Sequence, residues 1–359
     1  MNLFVFGKKK SECIIFSTSP LAGLSAQVVE ENDCSYLYLL HTDTSSSNAM
    51  TSCWIKNHKI VDDTYSAQGD MKRGLQPKVP SRYCAFQSEL SPLSAEQLEI
   101  VWGKEGFIVS LYEGDELICV VPYWAGHDFC GYSKYSCADK FSTIPFPLGS
   151  SDSNALFKRA EEARSFWKQD FSLLWSNYQE SYLSELESKY GEHIKYYAID
   201  GGGFPPKALV VFEKDDMKYA FTIGVSLFPQ PKVDMHFQDY QNHEYFELGF
   251  CYKSNKVFDE PNVFSQISSI TAIPWSFGTF LSHRHTLDLQ VDLQHNNAVL
   301  VSDKNVNVSK SKYLKAQNIN LLWIVPIPHD IYEKLTAEPS DYGEVEARVA
   351  NKDIAFRKI

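Results

Sequence analysis

Apolar residues run almost unbroken through Ile319, Leu321, Leu322, Trp323, Ile324 and Val325. The run is too continuous for a strand with one wet face, so it predicts a strand buried on both faces. Pro326 and Pro328 are expected to stop its ladder, because neither has an N–H to donate. A turn at His329-Asp330 then leads into a short helix through Leu335, with Asp330 as its N-cap.

The rest of the chain carries two other periods. Over residues 154–190, Leu156, Ala160, Ala163, Trp167, Phe171, Leu174, Tyr178 and Leu186 recur near every 3.6 positions, with charged residues between them. That predicts helix, broken near Gln169-Asp170 or bridging two domains, with Ser151 to Ser153 as N-caps and Gly191 as the terminating residue. Short apolar runs bounded by polar or turn residues predict strands over 12–16, 36–40, 107–112, 117–121, 193–199, 208–212, 219–227, 245–252, 286–293 and 298–301. Asp215-Asp216 falls between two of them as a hairpin turn. Two short helical candidates lie in residues 262–283, split by Pro274. Residues 41–48, HTDTSSSN, and the Asp-, Gly- and Pro-rich stretch 62–80 read as loops.

This order predicts an α+β fold: a mostly antiparallel mixed sheet covered by helices, preceded by a β-rich N-terminal domain. Its parts are a β-rich domain over 1–150, a connecting helix or helix pair over 151–190, and an α+β domain over 191–359. The Pro-, Gly- and Ser-rich stretch 141–153 is the expected linker. A chain of 359 residues is long enough for two cores.

The net charge is −11, from 34 basic and 45 acidic residues, which argues against a nucleic-acid partner and suits a basic one. No stretch approaches the ~20 apolar residues of a membrane span. The N-terminus has its lysines after a short apolar run, the reverse of a secretion signal. Eight cysteines form no CxxC pair, and read as reduced, mostly buried thiols of a cytoplasmic protein.

Candidate chemistry is sparse. Gly201-Gly202-Gly203 lacks phosphate-loop spacing and reads as a turn. His283 and His285 sit at i and i+2, which on a strand would share one face, with Asp288 as a possible third metal ligand. Surface histidines are the simpler reading, and neither metal nor cofactor is expected. Glu244 and Glu247, without a partner base or nucleophile, read as solvated carboxylates at a strand edge. Trp102, Trp124, Trp167, Trp175, Trp275 and Trp323 read as core or interface anchors.

The stretch Tyr219 to Ser226, YAFTIGVS, with Pro229 after it, resembles the suppressor-of-fused domain, whose members end a strand in a T-x-G-x-S turn followed by proline. Here those positions are Thr222, Gly224, Ser226 and Pro229. Further matches are a strand with Glu247, a helix leading to Pro274-Trp275, and a closing segment with Trp323, Pro326 and Glu333. They cover roughly residues 188–339. Residues 50–175, with the motifs around Trp54, Trp102, Trp124 and Trp167, resemble the segment that precedes this domain in some bacterial proteins.

The resemblance implies a protein-binding module. Animal members clamp a peptide that adds a strand; bacterial relatives are regarded as immunity proteins beside polymorphic toxins. The expected function is therefore a non-enzymatic protein that neutralises or sequesters a partner, such as a basic toxin. The alternatives are an enzyme with a metal-assisted site between domains that includes His283 and His285, and a regulatory protein that associates with itself.

Overall fold

The computed structural model describes residues 12–42, 51–126, 129–138, 144–302 and 319–337. The chain divides into two compact units, Met1–Lys168 and Gln169–Ile359. Most of the expected loop at 41–48, the start of the expected linker and the first eleven residues lie outside the described residues.

The first unit is built from two sheets. Strands β1 (Glu12–Thr18), β2 (Leu24–Glu31), β3 (Cys34–His41) and β4 (Thr51–Asn57) pair antiparallel in chain order. Asn32 and Asp33, with φ of 55° and 59°, make the two-residue turn of the β2–β3 hairpin. Asn and Asp tolerate that left-handed backbone, whose twist matches the strands it joins. The stretch 62–80 contains a short helix, α1 (Ala67–Lys72). The second sheet orders β5 (Leu98–Trp102), β6 (Val109–Glu113), β7 (Glu116–Val121), β8 (Tyr132–Ser133) and β9 (Phe146–Pro147). Alternating residues of both sheets, among them Val28, Leu37, Ile55, Leu111 and Ile118, meet in one core. Helix α2 (Leu156–Trp167) covers the second sheet's other face with Leu156, Ala160 and Ala163.

The helical stretch over 154–190 is two helices. The second, α3 (Phe171–Tyr190), starts at Asp170, whose carboxylate accepts from Ser172 N (2.9 Å) and Leu173 N (3.2 Å). Those amides would otherwise have no partner in the first turn. Asn154, not Ser151 to Ser153, serves the start of α2, accepting from Leu156 N at 3.0 Å.

The second unit carries a seven-stranded sheet ordered β10-β11-β12-β13-β16-β15-β14. Its strands are β10 (His193–Ala198), β11 (Ala208–Lys214), β12 (Met217–Ile223), β13 (Tyr245–Lys253), β14 (Thr286–Asp288), β15 (Asn297–Ser302) and β16 (Ile319–Ile327). All neighbours are antiparallel except β13 and β16. The fold is α+β. Helix α3 packs on β11 and β12, and α5 (Glu260–Ile270) buries Val263, Phe264, Ile267 and Ile270. The remaining helices are α4 (Val233–His236), α6 (Ile273–Phe277) and α7 (His329–Ala337).

Several expectations need correction. β16 does not stop before Pro326 but runs through it to Ile327, with Pro326 opposite Ala298 of β15. Its pairing with β13 ends at Trp323, opposite Gly249. The last residues of β16 therefore have an unpaired side among the described residues, where a missing N–H costs nothing. Asp330 lies inside the first turn of α7, which begins at His329. Pro274 sits in the first turn of α6, not between helices, because an N–H there would have no intrahelical acceptor. The strand expected over 219–227 ends at Ile223, where Gly224 turns left-handed (φ 102°) into a 3₁₀ turn, Val225–Leu227. The strand expected over 286–293 is only three residues long.

Candidate functional site

Four of the residues that carry the family resemblance meet at one buried point. β13 places Glu247 next to β12, and both strands bury nearly their whole length, so this carboxyl has no route to water; it is 0% exposed. Its Oε1 accepts from Gly224 N (2.9 Å), Ser226 N (3.0 Å), Ser226 Oγ (2.7 Å) and Tyr178 Oη (3.1 Å). Its Oε2 accepts from Thr222 Oγ1 at 2.6 Å, and Thr222 Oγ1 accepts in turn from Leu248 N at 2.8 Å. The left-handed Gly224 lets the turn aim two of its amides, Gly224 N and Ser226 N, at one oxygen. A Cβ there would lie 2.6 Å from Pro206 O and 2.7 Å from the Trp175 ring, so only glycine fits. The expectation of a solvated strand-edge Glu247 is thus overturned. Burial pushes its carboxyl up to about 7, against the hydrogen bonds from Thr222, Ser226 and Tyr178, which pull it down.

This arrangement does not support catalysis as it stands. Thr222, Ser226, Tyr178 and Glu247 are all sealed from solvent, so no substrate reaches a hydroxyl. What it does is lock β12, β13, the 3₁₀ turn and α3 together. Tyr178 and the Trp175 wall come from α3; the apolar period includes Tyr178 but not Trp175, and it does not tell that Tyr178 turns its hydroxyl to a carboxylate. The other resemblance residues serve packing. Pro229 is buried just past the turn. Pro274 and Trp275 are buried in α6, with Trp275 stacked on Phe246. Trp323 lies against Gly249 and Phe221. Glu333 stands apart, largely exposed and 3.5 Å from His329.

His283 and His285 do not share a strand face. They flank Arg284, which is left-handed at φ 73°, in a turn before β14. His283 Nδ1 accepts from Ser302 N at 3.2 Å, His285 packs on Phe280, and Asp288 binds Asn297. Among the described residues, no three of His, Cys, Asp and Glu gather as a metal set. Of the tryptophans, Trp124 is 36% exposed, unlike the buried Trp102, Trp275 and Trp323.

The accessible feature of this unit is the edge of its sheet. Among the described residues β10 has one paired neighbour, β11, and its residues 194–198 are exposed. Ile199 N donates to Lys207 O, which sets the alternation: Tyr197 bonds toward β11, while Tyr196 and Ala198 turn their N–H and C=O outward. Ile194 (46%), Tyr196 (38%) and Tyr197 (37%) put three exposed large apolar side chains on this one strand. The edge is nonetheless held stiff. Gln179 of α3 donates to Tyr196 Oη on one face, and Tyr197 packs on Phe264 of α5 on the other. Lys195 and Lys218 both bind Glu260; although burial raises the Glu260 carboxyl, those two bonds hold it down to about 2. A register shift at Ile194 shortens the pairable stretch, a common guard against edge-to-edge aggregation.

No protein-family model matches the chain, and no curated protein matches it. No helix among the described residues is long and apolar enough to cross a membrane.

Proposed function

We propose that this chain is a non-enzymatic protein-binding module that sequesters a partner by accepting an extended segment at β10. The observation that carries this reading is the free edge itself. The outward N–H and C=O groups of Tyr196 and Ala198 stand beside exposed Ile194, Tyr196 and Tyr197 on a strand braced from both faces. A strand added there would gain main-chain hydrogen bonds for affinity and side-chain contact with the tyrosines for specificity. The edge's lysine is already matched by Glu260, Glu192 and Asp200 flank the strand, and the net charge is −11. A basic partner fits that balance. Together with the suppressor-of-fused resemblance, this favours a cytoplasmic immunity protein of a bacterial toxin system.

The test pairs the protein with the product of the gene beside its own. Co-purification and rescue of growth are expected; the absence of both binding and rescue would overturn the proposal. Tyr196→Pro locates the surface. It removes an N–H that faces solvent and one exposed hydrogen bond, from Gln179 to Tyr196 Oη, so the fold should tolerate it, with thermal unfolding within a few degrees of wild type. Partner affinity is expected to fall at least about tenfold, the loss of ~1.4 kcal/mol of main-chain bonding. Unchanged affinity would exclude β10 as the docking edge.

A further inference from the structure

The first unit holds three neighbouring cysteines that take no part in the proposed binding edge; two of them, Cys53 and Cys119, lie in the core. Cys53 on β4 and Cys119 on β7 are both 0% exposed, and their sulfurs are 3.6 Å apart. Cys130, at 9% exposure, is the outermost of the three, and its interaction with Cys53 pulls its pKa down. The backbone closes tightly over them. Cys53 Sγ lies 3.9 Å from Tyr132 O, and a Cβ on Gly131, which is left-handed at φ 129°, would sit 3.1 Å from that sulfur and 2.7 Å from Val120 O. Two separate strands and a loop thus converge on one sulfur, which contacts two others. The remaining cysteines stand apart from this group: Cys13 and Cys137 are exposed, and Cys34, Cys84 and Cys251 are buried elsewhere.

We propose that Cys130, Cys53 and Cys119 form a peroxide-responsive thiol relay that ends in a Cys53–Cys119 disulfide bolting β4 to β7. The Cys130 sulfur attacks hydrogen peroxide, the O–O bond breaks, and the products are a Cys130 sulfenic acid and water. The Cys53 sulfur attacks that sulfenic sulfur, and the S–O bond breaks. Hydroxide leaves and takes the Cys53 proton as a second water, and a Cys53–Cys130 bond forms. The Cys119 sulfur then attacks Cys53, its proton passes to Cys130, and Cys130 leaves as the thiol. The sum is two thiols and one peroxide giving one disulfide and two waters. The chemistry of Cys130 matches its place, whereas burial pushes the Cys53 thiol well up, so its attack proceeds as the departing hydroxide takes its proton. The attacked thiol must be outermost and favour its thiolate, and Cys130 is outermost, with a pKa that the Cys53 hydrogen bond lowers despite burial. The exchange step needs neighbouring sulfurs, and 3.6 Å is van der Waals contact, so a modest side-chain and backbone adjustment brings Cys53 and Cys119 to bonding distance. Its product has no exposed sulfur, so it resists reduction by small thiols.

The experiment uses the full chain with Cys13→Ser and Cys137→Ser, which removes the two exposed thiols. The native protein is exposed to equimolar hydrogen peroxide, free thiols are alkylated after denaturation, and linked peptides are mapped by mass spectrometry. The expected result is a loss of two hydrogens, two unalkylated cysteines, and a Cys53–Cys119 linked peptide, with a raised melting temperature. Cys119→Ala should trap the Cys53–Cys130 bond, and Cys130→Ala should slow disulfide formation at least about tenfold while leaving circular dichroism unchanged. If Cys130→Ala does not fold, the linkage map of the parent protein decides alone. A parent that keeps all three thiols, or one oxidised only at the rate of global unfolding, overturns the proposal; one that stops at Cys53–Cys130 overturns the exchange step.

Discussion

Glu247→Ala is expected to cost the second unit about 4–6 kcal/mol. The change strands Gly224 N–H and Ser226 N–H without acceptors, and each buried unpaired donor costs ~1–3 kcal/mol. It also opens a void among the Thr222, Ser226 and Tyr178 hydroxyls, and so adds a cavity cost. Glu247→Gln should be far milder, within about 1.5 kcal/mol of wild type, the usual span of one net hydrogen bond. Four of the five donors address Oε1, which the amide keeps as an oxygen. The amide N–H₂ would then face Thr222 Oγ1, whose own proton can turn to Leu248 O, 3.5 Å away. A protonated Glu247 is held in the same way, and burial keeps the carboxyl neutral up to about pH 7.

The same carboxyl gives a pH dependence. Its folded pKa, about 7, lies above the ordinary 4.5, so the folded state binds its proton more tightly. Its contribution to stability is complete below pH 4.5 and is lost as pH rises through about 7, by roughly 3 kcal/mol. Chemical denaturation between pH 4.5 and 7.5 checks this as the difference between wild type and Glu247→Gln, which cancels the contributions the two proteins share. Equal slopes for the two proteins would show that Glu247 stays ionised in the fold.

Trp323→Ala should cost about 3–5 kcal/mol, the range for removing a large buried side chain. Trp323 is 4% exposed in the strand between β13 and β15. Its ring meets Phe221 at 5.6 Å between centroids and covers the bare backbone of Gly249. Its Nε1 has no hydrogen-bond partner among the described residues, so the loss is one of volume rather than of a polar contact. Trp323→Phe should therefore recover much of the deficit. A near-neutral alanine variant in urea unfolding would mean that this strand is not central to the core.

Hydrophobic periodicity alone determined the kinds of elements and much of their order. The double-faced burial of residues 319–325, the β11–β12 hairpin at Asp215-Asp216 and the helical break before Phe171 follow from local patterns. Such patterns act over a few residues, where side-chain spacing meets backbone period. Tertiary structure decided what local pattern could not reach. Glu247 reads as a solvated carboxylate because its partners Ser226, Thr222 and Tyr178 lie 21, 25 and 69 residues away in sequence. His283 and His285 look like a strand pair until the left-handed Arg284 breaks the alternation. Pro326 looks like a stop because its neighbours were unknown; it continues a strand whose β13 side is no longer paired. Exposure of the β10 edge and convergence of Cys53, Cys119 and Cys130 are likewise products of strand order. A chain's own periodicity says which face a residue takes, but only the packed sheet says what that face meets.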